Sequence, residues 1–264
     1  MSLVIRAKSP PRSPLVAWQA AWNLAGGVRY HLGAWRWHRS LWAPYRMQVA
    51  RFLQEWQPPC HQLAIIGPSA GWHLPSEFLC RFKVVYAIDP DPLAHWLLRR
   101  RFPQVAWVAI TSDYFTPAGP LMWSDNTARL FSDFPDAALL FAHFLGQLPG
   151  LYPQAVATEL GDDLAESRAY LRWKAMLNEH LSRRHWASMH DRLSSPTPPE
   201  LRPTDLAAEL PRLALQQLAW PQGAALADHL TGGLAPHLPR RLLAWQRTPA
   251  MWHLVEALHA SPQG

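Results

Sequence analysis

Apolar and polar positions follow two periods along this chain, and the switches between them outline its elements. In "LWAPYRMQVARFLQEWQPP" (41–59), Tyr45, Val49, Phe52 and Trp56 recur at three- and four-residue steps, which puts them on one helical face. Pro44 suits the first turn of that helix, and Pro58-Pro59 ends it. Short apolar runs then alternate with helical patterns. Strands are predicted at 63–66, 83–89, 105–110 and 137–144, with helices in "SEFLCRF" and from Pro92 to Phe102, the second capped by Asp91. Residues 112–135 read as irregular, with a short helix near Thr127–Phe131. A long helix is expected from Asp162-Asp163 to about Arg183, with Tyr170, Trp173, Leu177 and Leu181 as its stripe, then a strand at 185–190. The proline-rich stretch 194–239 reads as an insertion or cap with helical pieces around 204–218 and 222–230. "RRLLAWQ" and "MWHLVEALH", separated by "RTPA", read as an antiparallel hairpin.

Strands alternating with helices in this order predict an α/β fold: a mostly parallel sheet with helices on both faces. Ahead of it, residues 1–40 are expected to hold a flexible arm and short helices broken at Gly26-Gly27. The main domain is expected to run from 41 to 264.

Composition changes this picture little. The chain has 264 residues, is 49% apolar and carries a net charge of +6. The positive charge is almost all arginine, with lysine only at Lys8, Lys83 and Lys174. Together with the excess of Ala, Leu, Pro, Arg and Trp, this fits a GC-rich coding bias, so a nucleic-acid partner is not favoured. The 15 tryptophans are expected mainly in the core. No apolar run reaches the roughly 20 residues of a membrane span, and the N-terminus does not read as a secretory signal. Cys60 and Cys80 cannot make a disulfide framework. A cytoplasmic, bacterial-type protein is expected.

The candidate chemistry lies at strand ends, where open α/β sheets bind ligands. After the first strand comes "GPSAG" (Gly67, Pro68, Ser69, Ala70, Gly71), whose glycines permit positive φ and close approach of a ligand. The second strand ends in Asp89, 22 residues after Gly67 and followed by Pro90. An acidic side chain there can accept both hydroxyls of a ribose. Asp113 and Tyr114 follow the third strand, with Asp113 placed to accept from an adenine amino group. The fourth strand ends at His143, Phe144 and Gln147, and the fifth at His190 and Asp191. His190 and Asp191 are expected on opposite faces. His143 and His190 are the candidate catalytic residues, and Phe144, Gln147 and Asp191 the candidate substrate contacts. No metal is expected: His180, His185 and His190 are five apart and share no helix face, and no Cys pair has zinc spacing.

Loop, ribose-type Asp89 and late hairpin, in that order, resemble the class I S-adenosylmethionine-dependent methyltransferases over roughly residues 41–264. The resemblance implies a Rossmann-like sheet of seven strands whose last is antiparallel and inserted beside the sixth. It implies S-adenosylmethionine as cofactor, with Gly67–Gly71 around its methionine part, Asp89 on the ribose and Asp113 near the adenine. The methyl acceptor stays unidentified; the "[DNS]-P-P-[YFW]" motif of amino-methylating DNA enzymes is replaced by "AHFLGQ". A nicotinamide enzyme fits less well, because Ser69 stands where a pyrophosphate needs a glycine and Trp72-His73 crowd the helix start. Two alternatives remain. "GPSAG" formally matches the G-x-S-x-G of serine hydrolases, with Ser69 as nucleophile and, for example, Asp228 and His253 as partners. A non-catalytic, cofactor-binding interaction protein is the other.

Overall fold

The computed structural model describes residues 27–111, 114, 120–151 and 165–262, with side chains for 27–111, 114, 123–148 and 170–262. The expected N-terminal arm, Asp113 and the start of the helix at Asp162-Asp163 lie outside the described residues. Eight helices are described: α1 (Val28–Trp37), α2 (Ala43–Glu55), α3 (Ser76–Leu79), α4 (Pro92–Arg101), α5 (Pro120–Asp133), α6 (Phe144–Leu151), α7 (Ala165–Ser182) and α8 (Arg212–Ala219). The strands are β1 (Gln62–Ile66), β2 (Val84–Ile88), β3 (Trp107–Ile110), β4 (Ala137–Ala142), β5 (Trp186–Ser195), β6 (Thr204–Leu206), β7 (Ala227–Asp228), β8 (Arg240–Thr248) and β9 (Met251–Ala260).

They form one mostly parallel, nine-stranded sheet in the order β3-β2-β1-β4-β5-β9-β8-β6, with β7 paired to β5. Strands β1 to β5 are parallel. β9 runs against them and sits between β5 and β8, antiparallel to both. β8 and β9 thus form the expected hairpin, and the last strand, β9, is inserted between β5 and β8. The order reverses between β1 and β4, so the connections leaving their carboxyl ends diverge and open a crevice there. The result is an α/β architecture consistent with a Rossmann-like fold.

The two faces follow the two-residue period of the strands. Leu63 and Ile65 of β1, Leu140 of β4 and Met189 of β5 pack on one face with Tyr45, Val49, Phe52 and Trp56, the stripe of α2. Ala64, Ile66, Leu139 and Phe141 pack on the other with Trp123, Trp173, Leu177 and Leu181 of α5 and α7. All six residues of β4 are buried, as a central parallel strand demands. Among the described residues, six tryptophans are fully buried, including Trp42, Trp56 and Trp245 on the α2 face. Among the described residues, no helix is long and apolar enough to cross a membrane.

The structure corrects several expectations. The sheet has nine strands rather than seven, because the 194–239 stretch adds the short β6 and β7. The helical pieces expected there reduce to α8, with strand at 204–206 and 227–228. The short helix near Thr127–Phe131 is the fourteen-residue α5. A polar residue interrupts its stripe: Thr127 is fully buried, and its Oγ1 accepts from Trp173 Nε1 at 3.0 Å. β5 runs on to Ser195, since the polar residues at its end are buried among charged partners distant in sequence.

Candidate functional site

The crevice at the strand reversal is built first by the "GPSAG" turn. Gly67 and Gly71 have φ of 69° and 62°, and Gly71 N donates to Pro68 O at 2.9 Å. Both glycines also meet protein. A Cβ on Gly67 would lie 2.9 Å from Cβ of Phe144, and one on Gly71 would lie 2.8 Å from the Phe102 ring. The loop therefore lies flat against α4 and against the start of α6. Ser69 takes φ of 49°, a left-handed conformation that costs a non-glycine residue of order 1–3 kcal/mol. The loop is held by two groups. Asp89 Oδ2 accepts from Ser69 N at 2.9 Å, and Arg101 Nη1 donates to Ala70 O at 2.6 Å with its guanidinium 4.0 Å from the Trp72 ring.

Asp89 ends β2 and is buried. Its Oδ1 accepts from Asp91 N at 2.9 Å, which closes a turn through Pro90. Burial raises its carboxyl to about 6, against the two backbone donors that favour the anion; the neighbouring Asp91 adds to the rise. Asp91 caps α4 as expected, accepting from Leu93 N at 2.9 Å. Its other oxygen faces His31 Nε2 at 3.1 Å, and His31 Nδ1 accepts from Trp72 Nε1 at 3.1 Å. The chain Trp72–His31–Asp91 ties α1 to the loop and to α4. Of the third-strand residues, Tyr114 is buried, donates to Asp133 Oδ2 at 2.6 Å and has Arg129 4.9 Å from its ring.

The ends of β4 and β5 build a second group of side chains. His143 follows β4 with φ of 62°. Its Nε2 accepts from Tyr45 Oη at 2.8 Å, and its Nδ1 lies 3.4 Å from Asp191 Oδ1. The other Asp191 oxygen lies 3.3 Å from His253 Nδ1. Both contacts are within ion-pair range but lack hydrogen-bond alignment. Burial opposes ionisation of Asp191, yet the imidazoles of His253 and His143 outweigh it and hold the carboxyl well below its usual range. Tyr45 stacks on Trp245 at 5.4 Å, and His73 lies 5.2 Å from His143. Burial pushes His73 well below the ordinary histidine range, so it is neutral.

His190 lies on the opposite face of β5 from Asp191. It is fully buried, with Nδ1 2.9 Å from Ser188 Oγ and Nε2 3.5 Å from Glu256. Each nitrogen of His143 and His190 thus faces a protein group. Phe144 and Gln147 are half-buried on α6, beside the loop and one turn further on. The hydrolase constellation is not assembled. Ser69 Oγ has no hydrogen-bond partner, His253 faces Asp191, and Asp228 accepts from Leu230 N and pairs with Arg212. Tyr45, His73 and His229 complete this region unannounced by the sequence, because each reaches it across dozens of residues.

Gly146 sets how closely α6 approaches β5. A Cβ there would lie 2.9 Å from Asp191 N and 3.0 Å from Asp191 O, and backbone cannot move aside cheaply. Gly146→Ala is expected to cost roughly 1–3 kcal/mol, read as a lowered midpoint in denaturant unfolding with an unchanged slope.

No family model and no curated protein sequence matches this chain. Among solved structures, it is similar to the S-adenosylmethionine-bound CalS10, an amino pentose methyltransferase from Micromonospora echinaspora involved in calicheamicin biosynthesis. The identity is 17%, the alignment covers 88% of this chain and 82% of that one, and the TM-score is 0.30. A likeness of this size carries neither a residue nor a role across.

Proposed function

We propose that this protein is a class I S-adenosylmethionine-dependent methyltransferase that places its cofactor in the crevice between β1 and β4. The observation that carries the reading is topological. The antiparallel β9 is inserted between β5 and β8 beyond the run β3-β2-β1-β4-β5, the arrangement that the sequence resemblance implies. In this reading Gly67–Gly71 curve around the methionine part, Asp89 accepts the ribose hydroxyls, and Asp113 and Tyr114 border the adenine.

Two features of the site favour a sulfonium cofactor over a dinucleotide. The loop is not followed directly by a helix: α3 starts at Ser76 and has four residues. A pyrophosphate would therefore lack the helix N-terminus that usually binds it. Asp89, by contrast, suits a ribose. Each of its oxygens accepts one backbone N–H, and a carboxylate oxygen has a second lone pair to offer a hydroxyl.

Methyl transfer from a sulfonium is an in-line displacement, and holding acceptor and methyl in line supplies much of the acceleration. The nitrogens of His143 and His190 are already directed at Tyr45, Asp191, Ser188 and Glu256. The chemistry proposed is therefore governed by alignment, with His143 and Asp191 shaping the acceptor side and Phe144 and Gln147 bordering it. Calorimetric titration with S-adenosylmethionine and S-adenosylhomocysteine tests the reading. One site per chain for both ligands is expected, and absence of binding by either overturns it.

A further inference from the structure

Asp191, His229 and His253 come from β5, from the residue following β7 and from β9. One ligand atom from each lies within 4.8 Å of the others. We propose that these three side chains form a binding site for a zinc-class divalent cation. The site shares Asp191 with the acceptor side of the methyl-transfer reading, but its donor set does not depend on that reading.

The donor set is suited to such an ion. Two imidazoles and one carboxylate bind zinc at about 2.0–2.2 Å, which in tetrahedral geometry separates the ligand atoms by roughly 3.4 Å. Asp191 Oδ2 and His253 Nδ1 are already 3.3 Å apart. His253 is 3% exposed, and neither of its ring nitrogens has a hydrogen-bond partner. Burying such a group without a partner costs free energy, and a cation would recover it.

The surroundings orient the ligands as outer groups do in metal sites. His229 Nδ1 is 3.0 Å from Gly146 O, so that nitrogen carries the proton and Nε2 presents a lone pair. Nε2 now accepts from Ser194 Oγ at 3.1 Å, and ion binding exchanges that bond for a metal bond. His143 Nδ1 lies 3.4 Å from the other oxygen of Asp191, Oδ1, which leaves Oδ2 facing the two imidazoles of the site. Three protein ligands leave a fourth position for water or for a group of the substrate. The ion would join β5, β9 and the segment after β7, which are far apart in sequence.

The test uses the full chain, stripped with a chelator and titrated with Co²⁺ as a spectroscopic probe. Bound metal is counted by mass spectrometry. One Co²⁺ per chain, with the intense visible bands of four-coordination and displacement by Zn²⁺, is expected. Affinity is expected to fall more than about 100-fold in His253→Gln and in His229→Gln, and to be unchanged in His185→Gln, which changes an imidazole outside the cluster. Where His253→Gln does not fold, His229→Gln decides, since its half-buried ring contributes less to packing. Absence of stoichiometric Co²⁺ in the wild type, or a spectrum and affinity unaltered by His229→Gln, overturns the proposal.

Discussion

Glu256→Gln is expected to lower the free energy of unfolding by about 3–5 kcal/mol, the usual cost of breaking a buried ion pair from one side. The Glu256 side chain is fully inaccessible and lies between two guanidinium groups. Its Oε1 accepts from Arg192 Nε at 3.0 Å, and its Oε2 accepts from Arg240 Nη1 at 2.7 Å. Arg192 has a second carboxylate in Glu209 at 3.2 Å. Among the described residues, Arg240 otherwise has only the carbonyls of Leu234 and Ala235 as hydrogen-bond partners. Neutralising Glu256 therefore leaves a buried positive charge without a counter-charge. At about 2–4 °C per kcal/mol for a chain of this size, the melting point should fall by roughly 6–20 °C. Arg241→Ala is the control. It removes pairs to Asp205 and Glu55 at the surface, and such pairs contribute at most about 1 kcal/mol.

The pH dependence has a definite sign. Burial opposes the Glu256 anion, but His190, Arg192 and Arg240 prevail and bring its carboxyl down from 4.5 to about 2. A carboxyl depressed on folding stabilises fully above its unfolded pKa and loses that contribution as pH falls through its folded one. The gap between wild type and Glu256→Gln should hold at neutral pH and narrow from about pH 4.5 down to about 2. Equal melting points at pH 7 would show that the two arginines do not depend on this carboxylate.

The same residues explain what could be read in the sequence. α2 was legible because its four stripe residues, Tyr45 to Trp56, are all apolar. β1, β2 and β4 were legible because central parallel strands are apolar on both faces, and the edge strand β3 because its run "WVAI" is apolar although only partly covered. The end of β5 was not. Asp191, Arg192 and Ser194 look like a solvated turn until Glu256, His253 and His229 are seen to receive them. Burial there is decided by partners up to 64 residues away, beyond the reach of any local period. α5 was read only near Thr127–Phe131, whereas it spans Pro120–Asp133 and buries Thr127 against Trp173, 46 residues away. The candidate site divides along the same line. The loop and Asp89 were legible because each follows its own strand at a set distance. The Tyr45–His143–Asp191–His253 group was only half legible, since α2, β4, β5 and β9 meet there through the sheet order. That order also decides that β9, not β8, borders β5.

Under the proposed function, Asp89→Asn is expected to weaken S-adenosylmethionine binding by roughly 100-fold or more. Two hydroxyl bonds to a buried carboxylate are at stake, and a hydrogen bond to a charged group contributes about 1.5–3 kcal/mol. The pH profile separates this role from a merely structural one. Asp89 is raised by burial to about 6, and it is the anion that accepts both ribose hydroxyls. Wild-type affinity should be level above about pH 7 and fall towards tenfold per unit below 6. The asparagine variant should show no such slope, so the difference between the two titrations isolates the carboxyl. Its effect on stability runs opposite to that of Glu256. A carboxyl raised on folding binds its proton more tightly in the native state, so the fold loses stability as pH rises from about 3.8 to 6 and is level beyond. At pH 7 Asp89→Asn escapes this penalty but turns an amide NH2 on one of the two backbone donors, Ser69 N or Asp91 N, so its melting point should stay close to the wild type's while it binds the cofactor poorly. That separation is expected of a ligand-binding carboxylate held at a cost to the fold. A variant that binds as wild type does, or a wild-type affinity flat from pH 5 to 7, would exclude Asp89 as the ribose acceptor.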